Sequence, residues 1–341
     1  MKKVLALVLA IAMLLSFAAC GEKKEDPAVS EKQEQPAATI KMCMKSSATT
    51  ALGQGVQKWI ELVNAMEGVN LKLEFYPDAQ LGNETEMAEQ IMMGENMCLI
   101  SDAGTLAQYA APKLAALDGP FLTDDMYDYL TIANTDWFQA RRAEYEAKGL
   151  YIPEVYFIFG QRHLICKNAV KTPADLKGKK IRSTSAPASI AVVEGLGATA
   201  TPLAYADMYT SLSQGLIDGA ENPLAALYST KLYESAKYIS LTGHQTTLSI
   251  FMMNKEVYDK LTDVQKDAFI KCGQQAQEYY NYEVLPKFTD DAIQSFKQEN
   301  ITIIEDVDKA AFREASLAVW DKLGLKEDHD LIVDQLAKLK K

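Results

Sequence analysis

Transition-metal chemistry has little to work with in this chain. It holds 3 histidines, His163, His244 and His329, in neither HxH nor HExxH spacing, so no metal centre is expected. None of its 5 cysteines forms a CxxC pair, which argues against a thiol redox motif. Beyond Cys20, the residues Cys43, Cys98, Cys166 and Cys272 fall in apolar or mixed stretches and read as buried free thiols. A Cys43–Cys98 bridge is open only if their two strands are neighbours. There is no GxSxG elbow and no Walker A loop, so the common hydrolase and nucleotide signatures are missing. Gly195-Leu196-Gly197-Ala198-Thr199-Ala200 has the GxGxxA form. Its glycines follow a helical pattern and lead into a strand, the reverse of the dinucleotide context, so it reads as a helix C-terminus. No cofactor is expected.

Positive charge is also short. With Lys+Arg 35 against Asp+Glu 46 the formal charge is −11, and it becomes −13 once Lys2 and Lys3 leave with a leader. That balance disfavours nucleic acid or an anionic membrane surface as partner. An anionic ligand stays open, because a pocket's field is set by a few nearby groups. Long apolar runs are confined to the start. Lys2 and Lys3 precede the apolar run Val4 to Phe17, shorter than the roughly 20 residues that span a bilayer, so residues 1–19 read as a signal peptide. Phe17-Ala18-Ala19-Cys20 resembles a bacterial lipobox with Phe in place of the usual Leu, which implies lipidation at Cys20. Residues 20–37, rich in Glu, Lys, Gln, Pro and Ala, read as a disordered tether.

The remainder is patterned as α/β. Thr39 to Lys45, Val69 to Tyr76 and Met97 to Ser101 read as strands, separated by helical stretches Gly53 to Glu67 and Glu84 to Met93. A helical stretch over Asp125 to Lys148 and an aromatic strand over Tyr151 to Phe159 follow. A second β-α-β set comprises Lys180 to Ser183, Ala188 to Leu196, Thr199 to Thr201, Ala206 to Gln214 and Gly219 to Glu221, and Thr247 to Asn254 is a further apolar strand. Two α/β halves with mainly parallel sheets are therefore expected. Thr262 and Gln265 form a capping box for a helical pattern reaching Asn300, broken only at Pro286. It reads either as one long helix lying across both halves or as two helices within one.

Arg162 and Arg182 stand at strand ends, where ligands of α/β sheets usually bind. A guanidinium pairs bidentately with a carboxylate. A solvent-facing role is the alternative for each. Asp102 ends a strand and Glu84 opens a helix after the Gly82 turn, so either can accept a hydroxyl, or simply face water.

The segments TPADLKGKKIR, LGATATPL and ADMYTSLSQGLIDGAENP resemble the extracytoplasmic solute-binding proteins of TRAP (tripartite ATP-independent periplasmic) transporters. FYPDAQLGNETEMAEQIMMG upstream and KLYESAKYISLTGH downstream extend the resemblance over Thr39 to Lys260. It implies two α/β domains joined by hinge strands, a cleft between them, and a long helix buttressing both. The domains would be 38–159 plus 248–287 and 160–247 plus 288–341. It further implies a carboxylate ligand gripped by Arg182, with Arg162 as second cation, Asn222 as hydrogen-bonding partner and Tyr205 packing a ring on the ligand. Asp102 and Glu84 fall where some members hold distal hydroxyl or amine groups. Many members carry His after the first strand, where this chain has Ser46-Ser47-Ala48-Thr49-Thr50. The expected function is capture of a small organic acid by hinge closure for ion-gradient-driven membrane subunits, by a monomer anchored outside the cell membrane through Cys20. A hexuronate or other sugar acid is favoured over a C4-dicarboxylate or a small monocarboxylate. An exported enzyme and a sensory receptor are the rival readings.

Overall fold

The computed structural model describes residues 36–340. The leader, Cys20 and the tether up to residue 35 lie outside the described residues. The strands are β1 (Ala38–Cys43), β2 (Leu71–Tyr76), β3 (Met97–Asp102), β4 (Leu150–Tyr151), β5 (Tyr156–Cys166), β6 (Lys180–Ser183), β7 (Thr199–Pro202), β8 (Gly219–Pro223), β9 (Tyr238–Asn254) and β10 (Thr302–Ile304). They form one open sheet in the order β2-β1-β3-β9-β5-β8-β6-β7, with β4 and β10 on β9.

Two parallel triads stand at the ends of this order. In one, β1 pairs in parallel with both β2 and β3. In the other, β6 pairs in parallel with both β7 and β8. Between them β5 and β9 run antiparallel to each other and to their outer neighbours. These two strands are longer than their sequence patterns suggest. The aromatic run ends near Phe159 and the apolar run begins near Thr247, yet β5 continues through Cys166 and β9 starts at Tyr238. Their polar middles, Gln161 to His163 and Thr242 to Thr247, cross from one half to the other. There the ladder is irregular between Ile158 and Gly160 and between Arg162 and Leu164, as suits strands that serve both halves. Gly160 has φ +129, and a Cβ on it would stand 2.9 Å from Pro223, so a side chain there is excluded.

Apolar residues collect on either side of this crossing. One core joins Ile40 and Trp59 to Phe157 and Phe251; a second centres on Ile165, Ala220 and Phe296; a third on Leu164, Ile181 and Phe312. The molecule thus has two α/β lobes on one mixed sheet. Residues 288–341, expected to stay with the second lobe, divide: Phe296 is in the second core, whereas Trp320, Ile332 and Leu336 are in the first. The amphipathic helix Lys326–Leu339 buries Ile332 and Leu336.

The pattern beyond Thr262 forms one helical run. Its capping box is formed, and the α-helix Asp263–Tyr279 passes through a π turn, Tyr280–Val284, into the α-helix Leu285–Gln298. Pro286 lacks the N–H that would close the preceding turn, and the π turn absorbs the defect. Phe269 and Ala276 pack in the first core, Ala292 and Phe296 in the second, so the run buttresses both lobes. The stretch Asp125 to Lys148, by contrast, splits into Asp128–Ile132 and Asp136–Ala147, because the Thr135 side chain caps the second helix. The strand expected from Tyr151 starts at Tyr156, after Pro153. Gly195 does end a helix, with Gly197 left-handed at φ +102 before β7.

Cys43 and Cys98 do lie on neighbouring strands, but Cys98 is in register with Met42. Pleating therefore turns the two thiols to opposite faces. Both are free, as are Cys166 and Cys272, and Cys43 Sγ donates to the Cys98 carbonyl at 3.5 Å.

Candidate ligand site in the interlobe cleft

The C-terminal ends of both parallel triads point to one place. Lys45 follows β1, Glu84 opens the helix α1 (Glu84–Met92) after β2, and Asp102 ends β3. From the other lobe come Arg182 near the end of β6, Leu203 and Tyr205 after β7, and Asn222 near the end of β8. This is where a parallel α/β sheet leaves backbone and side chains free to meet a ligand. A cleft of about 330 Å³ lies there, lined among others by Lys45, Glu84, Thr184, Arg182, Leu203 and Tyr205. Its size is that of a small-molecule site.

Arg182 is 3% exposed. Its Nε and Nη2 both donate to the Leu203 carbonyl, at 3.0 and 2.7 Å. No carboxylate among the described residues lies within salt-bridge distance of it, and Nη1 has no protein partner there. Burial lowers its pKa from the usual arginine value, against Glu221 and with the help of Arg162 nearby. A buried cation whose remaining edge opens on a cleft is set up for an anion from outside the chain.

Arg162 differs. Its Nε and Nη2 are paired with the Glu221 carboxylate, Nη2 also donates to the Glu221 carbonyl at 3.0 Å, and Nη1 reaches only Thr247 Oγ1 at 3.4 Å. Burial opposes its charge but Glu221 outweighs that, so its pKa is raised. Glu221 shows the converse: burial would raise it, and Arg162 with His244 holds it down to about 2. His244 Nε2 is 3.7 Å from Glu221 Oε2, and its Nδ1 is 2.7 Å from Thr242 Oγ1. Ile181 is in register with Gly219, so pleating puts Arg182 and Asn222 on one face of the sheet and Glu221 on the other. Asn222 Nδ2 touches Met208 Sδ at 3.8 Å.

The cleft lining includes Arg182, Tyr205 and Glu84; Arg162, Asn222 and Asp102 are buried and are not part of it. Between Glu84 and Asp102 stands Lys45, which the sequence reading passed over. Its Nζ donates to Glu84 Oε1 at 3.0 Å and to Asp102 Oδ2 at 3.3 Å, and lies 5.8 Å from the Tyr205 ring centroid. Burial opposes its charge, but Asp102 and Glu84 outweigh it and raise its pKa. Ser101 Oγ also donates to Glu84 Oε1. The place of Lys45 just beyond β1, at a strand's C-terminal end, was the available signal. Tyr205's pKa is raised by burial, against Lys45. Ser46 and Thr50 border a smaller recess on the other side of Tyr205, although Thr50 also caps the helix Ala51–Asn64.

Asp118 was likewise missed. It is buried, accepts from Gly104 N at 3.1 Å through Oδ2, and leaves Oδ1 unpaired. Burial and Asp102 push it up to about 8. A Cβ on Gly104 would stand 2.2 Å from that carboxylate, so glycine is required there. Among the described residues no cluster of His, Cys, Asp and Glu suits a metal ion, and no helix is long and apolar enough to cross a membrane.

Residues 42–327 match the model of the bacterial extracellular solute-binding protein family 7. The chain is 30% identical over 280 residues to the 2,3-diketo-L-gulonate-binding periplasmic protein YiaO of Escherichia coli, covering 82% of this chain and 84% of that one. A TRAP periplasmic solute-binding protein from Ochrobacterium anthropi, solved with bound L-fuconate, superposes with TM-score 0.82 at 32% identity, covering 88% of this chain and 100% of that one. Another from Fusobacterium nucleatum, with bound sn-glycerol-3-phosphate, gives 0.83 at 28% identity over 89% and 98%. The fold, the cleft at the strand ends and these matches agree: the chain belongs to the bacterial extracellular solute-binding protein family 7, as a TRAP-type solute-binding protein.

Proposed function

We propose that this protein captures a sugar acid, a hexuronate or an aldonate, in the interlobe cleft and presents it to the membrane subunits of a TRAP-type transporter. The observation that carries this is Arg182: 3% exposed, on the cleft, with no carboxylate partner among the described residues. A ligand carboxylate would take the edge of the guanidinium that Leu203 leaves open. Closure of the lobes would then exclude water and strengthen the pair. Asn222 shares the sheet face of Arg182 and would assist once the lobes close, while Tyr205 packs against the carbon chain. Arg162, neutralised by Glu221, holds the floor of the site and offers Nη1. The bound sugar acids of relatives and the hydroxyl-bearing lining of Thr105, Thr184 and Ser185 support this choice of ligand.

Membership of a solute-binding family supports a receptor over an exported enzyme. Lipidation of Cys20 would hold the mature chain, as a monomer, at the outer face of the cell membrane. Replacing Cys20 by Ser would then release the protein from the membrane fraction.

The test is calorimetry of the mature protein with uronates and aldonates. Arg182→Lys keeps the charge but loses the planar fork. It should weaken binding by about 1.5–3 kcal/mol, roughly 10- to 150-fold. Unchanged affinity in that variant, or no carboxylate bound by the wild type, would sink the proposal.

A further inference from the structure

Among the described residues Lys45 is the one cation that the first lobe contributes to the cleft wall, and it is doubly countered. Two of its three ammonium protons point to Glu84 Oε1 at 3.0 Å and Asp102 Oδ2 at 3.3 Å. Its side chain is 14% exposed and lines the cleft together with Glu84, whereas Asp102 is buried and not part of the lining. Glu84 Oε1 also takes the Ser101 hydroxyl proton, and its Oε2 has no protein partner among the described residues. This wall therefore presents one spare N–H donor and one spare carboxylate oxygen side by side. Its formal charge is −1, one ammonium between two carboxylates. The opposite wall carries Arg182 at +1, since Arg162 is cancelled by Glu221.

We infer that Lys45, Glu84 and Asp102 act as a charge filter, admitting a ligand whose far end bears hydroxyls and rejecting one whose far end bears a second carboxylate. The inference rests on the proposed carboxylate grip at Arg182 and names what the other end of the ligand must be. A hydroxyl both accepts and donates, so it fits the spare Lys45 proton and the spare Glu84 oxygen together. A carboxylate only accepts. It would compete for a lysine already shared by two acids and face the free oxygen of Glu84 at close range, and like charges so placed are strongly unfavourable. Lys45 is thus a specificity residue that touches ligand, and Asp102 a positioning residue acting through it. Discrimination arises from the repulsive element as much as from the attractive one.

The experiment compares ligands that share a carbon skeleton: galactonate or galacturonate against galactarate, in which the terminal carbon is a second carboxylate. Calorimetry on the wild type should show the monocarboxylate favoured by about tenfold or more. In Glu84→Gln/Asp102→Asn, Lys45 keeps its charge without its counter-ions, and the preference should shrink or invert in favour of galactarate. If the double variant melts early, Glu84→Gln alone serves, because Glu84 lines the cleft while Asp102 is buried and not part of the lining. Equal wild-type affinity for both ligands, or an unchanged ratio in the variants, overturns the filter and leaves the carboxylate grip standing. Weaker binding of both ligands by Arg182→Lys, with their affinity ratio intact, supports both. A wild type that binds no carboxylate fails the proposed function and the filter with it.

Discussion

Charges buried in the crossing between the lobes have different partners, and their partners decide what each can do. Glu221 and Arg162 neutralise one another, so removing one leaves the other stranded. Glu221→Gln should cost about 3–5 kcal/mol in denaturant unfolding, as for other broken buried pairs. Acid should act on the same pair. Glu221 is held at about 2, below its ordinary 4.5, so its contribution is present above about pH 4.5 and is lost as pH falls towards 2. His163, pushed down to about 3 by burial and by His244 and Lys309, adds loss in the same direction, starting below about pH 6.5. Asp118 works the other way: raised from 3.8 to about 8, its contribution is present below pH 3.8 and is lost as pH rises to about 8. Wild-type stability should therefore decline on both the acid and the alkaline side. In Asp118→Asn the decline between about pH 5 and pH 8 should flatten while the acid decline persists, which melting curves at about pH 3, pH 5 and pH 8 would show. An equal alkaline decline in both proteins would count against an ionising Asp118.

Among the elements, the long helical run has the widest role. At its π turn it replaces a missing strand neighbour. Gln277 Oε1 accepts from Tyr156 N at 2.7 Å, and Asn281 Oδ1 accepts from Ile158 N at 2.9 Å. Asn281 Nδ2 donates to the Tyr156 carbonyl at 3.0 Å, and Tyr280 Oη to the Ile158 carbonyl at 2.9 Å. The start of β5 is thus tied to a helix as well as to β9. Asn281→Ala should leave two buried backbone groups unsatisfied, at about 1–3 kcal/mol each. Hydrogen exchange at Ile158 should accelerate in that variant. A loss below about 1 kcal/mol would mean that water replaces the amide. The capping box at Thr262 and the proline at 286 made this helix readable in sequence. The sheet-side roles of Gln277 and Asn281 were not, since a polar residue on a helix face gives no sign of what it meets. Likewise β2 was legible from its alternation of Leu71, Leu73 and Phe75 with Lys72 and Glu74, whereas the polar middles of β5 and β9 carry no apolar pattern and were missed.

At the scale of the molecule, two lobes share one mixed sheet and meet at a cleft that both line. Lys45 and Tyr205, from opposite lobes, approach to 5.8 Å, so the two lobes already meet across the cleft, and a ligand should enter while they are apart. Small-angle scattering should show the radius of gyration falling when a saturating sugar acid is added, and Arg182→Lys should require more ligand for the same change. A radius insensitive to a ligand that calorimetry shows bound would exclude hinge closure. Ligand at 100 times its dissociation constant should also add about 2.7 kcal/mol of stability.

The sequence by itself determined the alternation of strands and helices, the long buttress and the family. Each of these is written in local order: period, caps, breakers and a contiguous motif around KKIR and ENP. Only the tertiary structure decided the state of the charges. Arg162 and Arg182 look alike in sequence, yet one lies against Glu221, 59 positions away, and the other against a carbonyl. Lys45 joins Glu84 and Asp102 across separations of 39 and 57 positions. Coulomb energy and desolvation depend on distance and burial in space, and spacing along the chain fixes neither.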